Sequence, residues 1–469
     1  MFRQYFLALL LVPSGSLAGQ QTVLSAVDQY VTAEMSRQHI PGVSIAVVRN
    51  DSVVLRRGYG LGNVELGVPA SDSTVYQSGS LGKQFTAAAV VMLAEQGRLS
   101  LDDKIAKWLP EGGAAWKDIT VRHLLTHTSG MAEYTDSTFD YRKDYTEDQL
   151  VKFAAARPLD FAPGERWSYS NTGYLLLGVL IHRVTGQFYG DVLQQLIFGP
   201  LKMRTARIIS EADIVPNRSA GYQLVKDELK NQDWVAPSLN TTADGSLYLS
   251  INDLVEWAHS LDHLRVPDSS ALQLAWSRVR LNSGGRYPYG FGWDLTPQRG
   301  HPRIGHTGSW QGFKTAIYRY PEYGLTVIAL ANLAQAQPGP LAEGIAGLFE
   351  PPLTPAHRLN APLPGPKSPV RDEQLLARVA KGADSAVITP GLQRFLSAAS
   401  RRELSEQLAP IESWQSLGCD DVSGRKVAWL SSPVSRACYA VGKGGRASVV
   451  GTLYYSPDWR LALFDITAY

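Results

Sequence analysis

The sequence predicts an α+β fold: one antiparallel sheet flanked by helices, an all-helical lobe beside it, and a small α+β domain at the C-terminus. Three observations predict it. Hairpin patterns stand near the start and again three hundred residues later, the stretch between them is mostly helical, and a proline-rich segment follows the second hairpin. Early and late strands around a helical middle imply one sheet built from both ends of a domain, with a cleft between sheet and lobe.

Taken in order, residues 1–18 stand apart. "MFRQYFLALLLVPSGSLA" has Arg3, an apolar run from Tyr5 to Val12, then Pro13 and small residues ending at Ala18. This is the pattern of a signal peptide cut after Ala18, too short to span a bilayer. The expectation is an exported protein, periplasmic or secreted, with no transmembrane anchor in the mature chain. "VSIAVVRNDSVVLRRGYG" (43–60) alternates around Asn50-Asp51 as a hairpin does. "SGSLGKQFTAAAVVMLAEQG" (78–97) reads as a buried helix closed by Gly97. Thr120 before "VRHLL" reads as an N-cap, Thr146…Gln149 as a capping box, and "TGYLLLGVLIHRVTG" (172–186) as a strongly apolar helix. "FKTAIYRYPEYGLTVIALAN" (313–332) is two strands around Pro321–Gly324.

Residues 351–370 hold seven prolines and read as a semi-rigid linker between a domain of 22–350 and one of 371–469. The latter shows two helical patterns (371–383 and 391–408) and then short strands. The chain's two cysteines, Cys419 and Cys438, both lie there with no histidine near, so a disulfide is preferred over a metal site, at roughly 3 kcal/mol.

Composition bounds the partners. The chain has 469 residues, 44% apolar and 19% charged, with a formal net charge of +2. No basic run stands out, so no nucleic-acid partner is expected.

The chemistry starts from a contradiction in residues 78–97. An otherwise apolar helix opens with Ser80 and, one turn on, Lys83, on the same face. Backbone N–H groups at a helix start stabilise developing negative charge. Burial lowers a lysine pKa, and a neutral amine beside a hydroxyl can take its proton and make it a nucleophile. The bland alternative is an N-cap with a snorkelling lysine. Ser-x-x-Lys alone is weak evidence: Ser423-Gly424-Arg425-Lys426 repeats it in a polar turn with no buried helix behind it, and reads as a decoy.

Two further motifs add weight. Tyr169-Ser170-Asn171 enters the apolar helix, offering a phenol to relay a proton and an amide to orient the lysine. His306-Thr307-Gly308 precedes the late hairpin, offering a hydroxyl, a bare backbone edge and then the Ser309 N–H as an oxyanion donor. Taken singly, each also fits an ordinary turn or strand end. Trp310 is the aromatic residue expected at the cleft. His123 and His127 are spaced for a metal, but no third ligand is in view, and packing and capping account for them better. Position 78 is serine, so Ser80 is not in a Gly-x-Ser-x-Gly elbow.

In this order and spacing the motifs resemble the penicilloyl serine transferases: class C β-lactamases, secreted DD-carboxypeptidases, D-amino-acid peptidases and related esterases. "VYQSGSLGKQFTAAAVVMLAEQGRLSLDDKIAKWLP", "ITVRHLLTHTSG", "PGERWSYSNTGYLLLGVLIHRVTG", "FGPLKM" and "HTGSWQGFKTAIYRYPEYGLTVIALAN" carry the resemblance over roughly residues 25–350. It implies the β-lactamase/DD-peptidase-like fold, with Ser80 acylated and Lys83 activating it. Tyr169 would be general base then acid, with Asn171 positioning substrate. His306, Thr307 and Gly308 would line the cleft, and the Ser80 and Ser309 N–H groups would form the oxyanion hole. No metal or organic cofactor is implied. The implied substrate is a small molecule or peptide such as a peptidoglycan stem peptide or a β-lactam. Alternatives are a β-lactamase, a carboxylesterase, or a receptor that acylates without turnover. Typical β-lactamases of the family carry Lys-Thr-Gly where this chain has His306-Thr307-Gly308. A histidine would supply a weaker, pH-dependent charge for a substrate carboxylate.

Overall fold

The computed structural model describes residues 15–134, 138–208, 213–263, 269–359, 363, 372–382, 386–423, 433–444 and 447–468. Most of the signal-peptide segment, much of the proline-rich segment and Gly424–Lys426 of the decoy lie outside the described residues. The first described helix is Gly15–Gln38, and among the described residues no helix is long and apolar enough to cross a membrane.

The two ends of the larger, N-terminal domain meet in one sheet. Its six strands run in the order Ile304–Trp310, Phe313–Tyr320, Leu325–Ala331, Gly42–Arg49, Ser52–Asn63 and Val68–Pro69, every neighbouring pair antiparallel. The first hairpin turns at Asn50 and Asp51, both at positive φ, which two-residue hairpins demand. Val43 lies opposite Ala331 and Ile45 opposite Ala329, which closes the domain across nearly three hundred residues of chain.

That sheet is buried on both faces, so its central strands are apolar throughout rather than alternating. Val43, Ile45 and Val47 pack with Val27, Val31, Leu341 and Ile345 of the helices Gly15–Gln38 and Pro338–Phe349. Ala46 and Val48 turn the other way, into the core shared with the helical lobe. The lobe includes Lys83–Glu95, Val121–Leu125, Glu147–Ala155 and Asn171–Thr185. Thr120 and Thr146 close capping boxes with His123 and Gln149, and Gly186 ends the apolar helix in the left-handed conformation.

The C-terminal module has the helices Asp372–Ala380, Pro390–Phe395 and Ala398–Leu408 against a four-stranded antiparallel meander, Ser413–Asp421, Arg436–Gly444, Ala447–Tyr455 and Leu461–Ala468. The single helix expected over 391–408 is two, because Ser397 caps the second. Cys419 and Cys438 face each other across paired strands and are joined as a disulfide. One expectation needs correction. The start of the proline-rich segment is not a free linker: Leu353 is fully buried in the sheet–helix core, and Ala356 packs with Tyr439 and Tyr454 of the C-terminal module.

Candidate active site

Ser80 sits in a single 3-10 turn, Gly79–Gly82, and the α-helix proper begins at Lys83. Close backbone approach explains the turn. Gly79 has φ +54, and a Cβ there would stand 2.3 Å from the Ser309 nitrogen; one on Gly308 would stand 1.9 Å from the Ser78 carbonyl oxygen. Two glycines therefore let the strand Ile304–Trp310 lie against the nucleophile turn, and Thr315 Oγ1 donates to Ser78 O at 2.6 Å to hold it there. The Ser309 backbone nitrogen is thereby brought against Gly79, and Ser80 and Ser309 line the same cleft.

Lys83 is fully buried, so it does not snorkel. Its Nζ donates to Ser80 Oγ at 3.0 Å, to Asn171 Oδ1 at 2.9 Å and, at short range, to the Asp244 carbonyl. Burial is the main cause that pushes its pKa down to about 8; Asp244 and Glu133 oppose it. The Lys83 ammonium also lies 5.0 Å from the centre of the Tyr169 ring.

The Tyr169 loop delivers the other groups. Ser170, not Asn171, caps the helix Asn171–Thr185 by accepting from the Gly173 N–H. The Asn171 amide is thereby left for Lys83, with its Nδ2 donating to Glu133 Oε2 at 3.1 Å and its backbone N–H to Oε1 at 2.6 Å. Desolvation raises the Tyr169 pKa well above that of a free phenol. Its hydroxyl makes no hydrogen bond of normal geometry among the described residues, though Ser80 is near enough to oppose part of that rise.

A cleft of about 480 Å³ opens onto Ser80, Tyr169, Asn171, Asp244, Ser309 and Trp310. Trp310 is fixed by its Nε1–H to Asn240 Oδ1 at 2.9 Å. Thr307 is exposed, and Gly308 serves as backbone packed on the nucleophile turn.

His306 lies elsewhere than expected. Its ring is buried, and desolvation pushes its pKa down to about 4, so it offers no charge near neutrality. The ring belongs to a hydrogen-bonded chain behind the cleft. The Ser170 N–H donates to His127 Nδ1 at 3.1 Å, which leaves His127 Nε2 as a donor to the Tyr289 hydroxyl at 3.1 Å. Tyr289 then donates to His306 Nε2 at 2.9 Å, and His306 Nδ1 donates to Thr307 O at 2.5 Å. Each partner fixes the next tautomer. The pH-dependent substrate charge expected of His306 is thus replaced by a neutral link between the Tyr169 loop and the strand. His123 caps its helix, and His127 packs and hydrogen-bonds.

Sequence reasoning missed Glu133, Asp244 and Tyr289, and also Tyr141, whose side chain lines the same cleft. None sits in a periodic or motif context; an acidic residue in the small-polar run "NTTADGS" was the one available signal for Asp244.

A sheet closed by both ends of the domain, a helical lobe, and a buried lysine against a turn-borne serine define the class as the serine β-lactamase and penicillin-binding superfamily. The chain belongs to the Beta-lactamase family, whose model matches residues 27–347. It is 29% identical over 316 residues to "Penicillin-binding protein 4*" of Bacillus subtilis (strain 168), covering 64% of this chain and 69% of that one. It is 30% identical over 320 residues to "Protein flp" of Staphylococcus aureus (strain MW2), covering 66% of this chain and 62% of the relative's length. Among solved structures, the octameric penicillin-binding protein homologue from Pyrococcus abyssi has the same fold over 95% of this chain and 90% of its own, with TM-score 0.64 and 23% identity. A D-stereospecific amidohydrolase from Streptomyces sp. matches 70% of this chain and 98% of its own, with TM-score 0.57 and 27% identity.

Proposed function

We propose that the chain is an exported serine hydrolase that forms an acyl-enzyme on Ser80 with D-amino-acid peptides, amides or esters. The observation that carries this reading is the complete burial of Lys83 with its Nζ 3.0 Å from Ser80 Oγ. The ammonium has three hydrogens. The Asp244 carbonyl and the Asn171 amide oxygen can only accept, so two of them are committed. The third position faces Ser80. Loss of that proton turns the amine lone pair toward the serine hydroxyl, and Lys83 takes the serine proton as Oγ attacks the substrate carbonyl carbon.

The carbonyl oxygen then gains charge beside the Ser80 and Ser309 N–H groups. Tyr169, whose raised pKa keeps it protonated, serves as the acid: it gives a proton to the leaving nitrogen or oxygen and regains one from Lys83. Water releases the acyl group by the reverse path. This refines the role expected of Tyr169, which at its raised pKa is a poor first base. Residues 1–18 support export, which N-terminal sequencing of secreted material beginning at Gly19 would test.

The cleft favours one kind of substrate. Asp244 is the sole formally charged side chain among the described residues that line it. Its carboxylate is buried, with Oδ2 accepting from the Tyr134 hydroxyl, and the Lys83 ammonium behind Ser80 is fully buried as well, so among the described residues a substrate carboxylate finds no ion-pair partner on the cleft surface, whereas an amide needs none. D-aminoacyl amides should therefore turn over about tenfold or more faster than D-Ala-D-Ala acids. The test is a fluorophosphonate or fluorescent-penicillin label followed over time, with assays on D-amino acid amides, D-Ala-D-Ala peptides, nitrocefin and p-nitrophenyl butyrate. A label that forms on Ser80, is absent in Ser80→Ala and is lost with time is the expected result. A label that never leaves identifies a receptor, and undiminished turnover in Ser80→Ala removes the mechanism.

A further inference from the structure

Among the described residues the C-terminal module has no group in the cleft, yet a line of rings connects it to Tyr169. Phe395, at the end of the helix Pro390–Phe395, stands 5.1 Å from the Tyr287 ring. Tyr287 stacks on Trp167 at 4.0 Å between centres and 15° between planes. Trp167 is two residues from Tyr169, their rings 6.4 Å apart, and it meets the His127 ring edge-on at 6.0 Å.

The backbone follows the same route. Tyr287 belongs to a small hairpin, Val279–Arg280 with Arg286–Tyr287. Its tip is tied to the loop ahead of Tyr169: Asn282 donates from its backbone N–H to Gly164 O at 2.8 Å and from Nδ2 to Pro163 O at 2.9 Å. Its other side lies directly on the C-terminal module, since a Cβ at Gly285 would stand 3.1 Å from the Phe395 Cα. The hairpin is thus held between the module and the Tyr169 loop.

We propose that the C-terminal module positions Tyr169, with Phe395 and Tyr287 as positioning residues acting through Trp167. The idea rests on the reading of Tyr169 as the proton donor. A loop tethered by its capping serine and a few hydrogen bonds has freedom to shift, and a shift well under an ångström at a proton donor costs rate rather than binding. Aromatic stacking restrains such movement because each ring contact has a narrow range of favourable geometry. Phe395, Tyr287 and Trp167 are all partly exposed, and Phe395 also packs on the edge of the module's core, a contact that the control variant below accounts for.

The experiment uses the full chain and a D-amino acid amide. Phe395→Ala should lower kcat about fivefold to tenfold with little change in KM, and Phe395→Tyr, which keeps the ring, should restore most of it. Leu396→Ala is the control: it thins the module's own core at the next residue without touching the ring line. An unchanged kcat in Phe395→Ala, or an equal loss in Leu396→Ala, would overturn the proposal while leaving the hydrolase reading in place. A wild-type chain that neither labels at Ser80 nor turns over any substrate would instead remove the parent reading, and this one with it.

Discussion

At the residue scale the site is governed by one buried amine. Lys83 has an ordinary pKa of 10.5 and a folded value of about 8, so between these the unfolded chain binds more protons than the folded one. Stability contributed by this group therefore rises with pH across that window and is lowest below about pH 8, where the ammonium is buried charged. Lys83→Met should slow acylation by about a thousandfold or more, and its stability advantage over wild type should shrink as pH rises from 7 to 10. The full change is bounded at about 3 kcal/mol, read as the difference between urea melts of the two proteins at each pH. The rate of Ser80 acylation in the wild type should climb with an apparent pKa near 8. His306 gives the opposite expectation. With its folded pKa near 4, His306→Gln should leave the acylation profile between pH 5.5 and 7 unchanged in shape, and an acidic limb lost on substitution would restore the charge-recognition role.

At the element scale the decisive feature is backbone contact between the nucleophile turn and the neighbouring strand. Gly308→Ala places a methyl 1.9 Å from the Ser78 carbonyl oxygen and 2.4 Å from Thr315 Oγ1, so strand and turn must separate. The expected outcome is loss of Ser80 labelling with a stability cost of about 2 kcal/mol or more, measured by label incorporation and thermal melts. This contact also marks what the sequence could and could not say. Ser80 and Lys83 stood out because a hydroxyl and an ammonium conflict with an apolar helix, whereas the roles of Tyr169, Asn171 and Ser309 followed from the family resemblance of their motifs. The hairpins were readable from alternation around Asn50-Asp51 and Pro321–Gly324. Asp244, Glu133 and Tyr289 were not, since they come from irregular segments brought in by tertiary packing, and no period or cap marks such positions. His306 was misjudged for the same reason: a strand residue's face is set by pairing, which local pattern does not reveal.

At the scale of the whole molecule, the question is where the N-terminal domain ends. The proline content of 351–370 suggests a break after Pro351, but the packing places it later. Leu353 has no exposed surface and lies among Val27, Tyr320 and Ile345, while Gln298 Nε2 donates to its carbonyl. Prolines exclude regular structure without excluding burial, and two short 3-10 turns carry Pro351–Leu353 and Ala356–Arg358 across the domain surface. Beyond them the two parts of the chain are joined by Arg299 and Asp420, paired at 2.8 Å with only 10% and 12% of their side chains exposed. A chain ending at Pro351 loses a buried leucine from its main core, at a cost of about 3 kcal/mol, whereas one ending at Leu359 keeps it. The longer truncation should therefore melt several degrees above the shorter, with both retaining the sheet. Arg299→Ala in the full chain should destabilise the C-terminal module by about 3 kcal/mol, because Asp420 is left buried beside Tyr439 without its counter-charge. Hydrogen exchange resolved by segment checks this: faster exchange confined to 413–468 is expected, and equal exchange in both variants would show that the ion pair does not hold the two parts together.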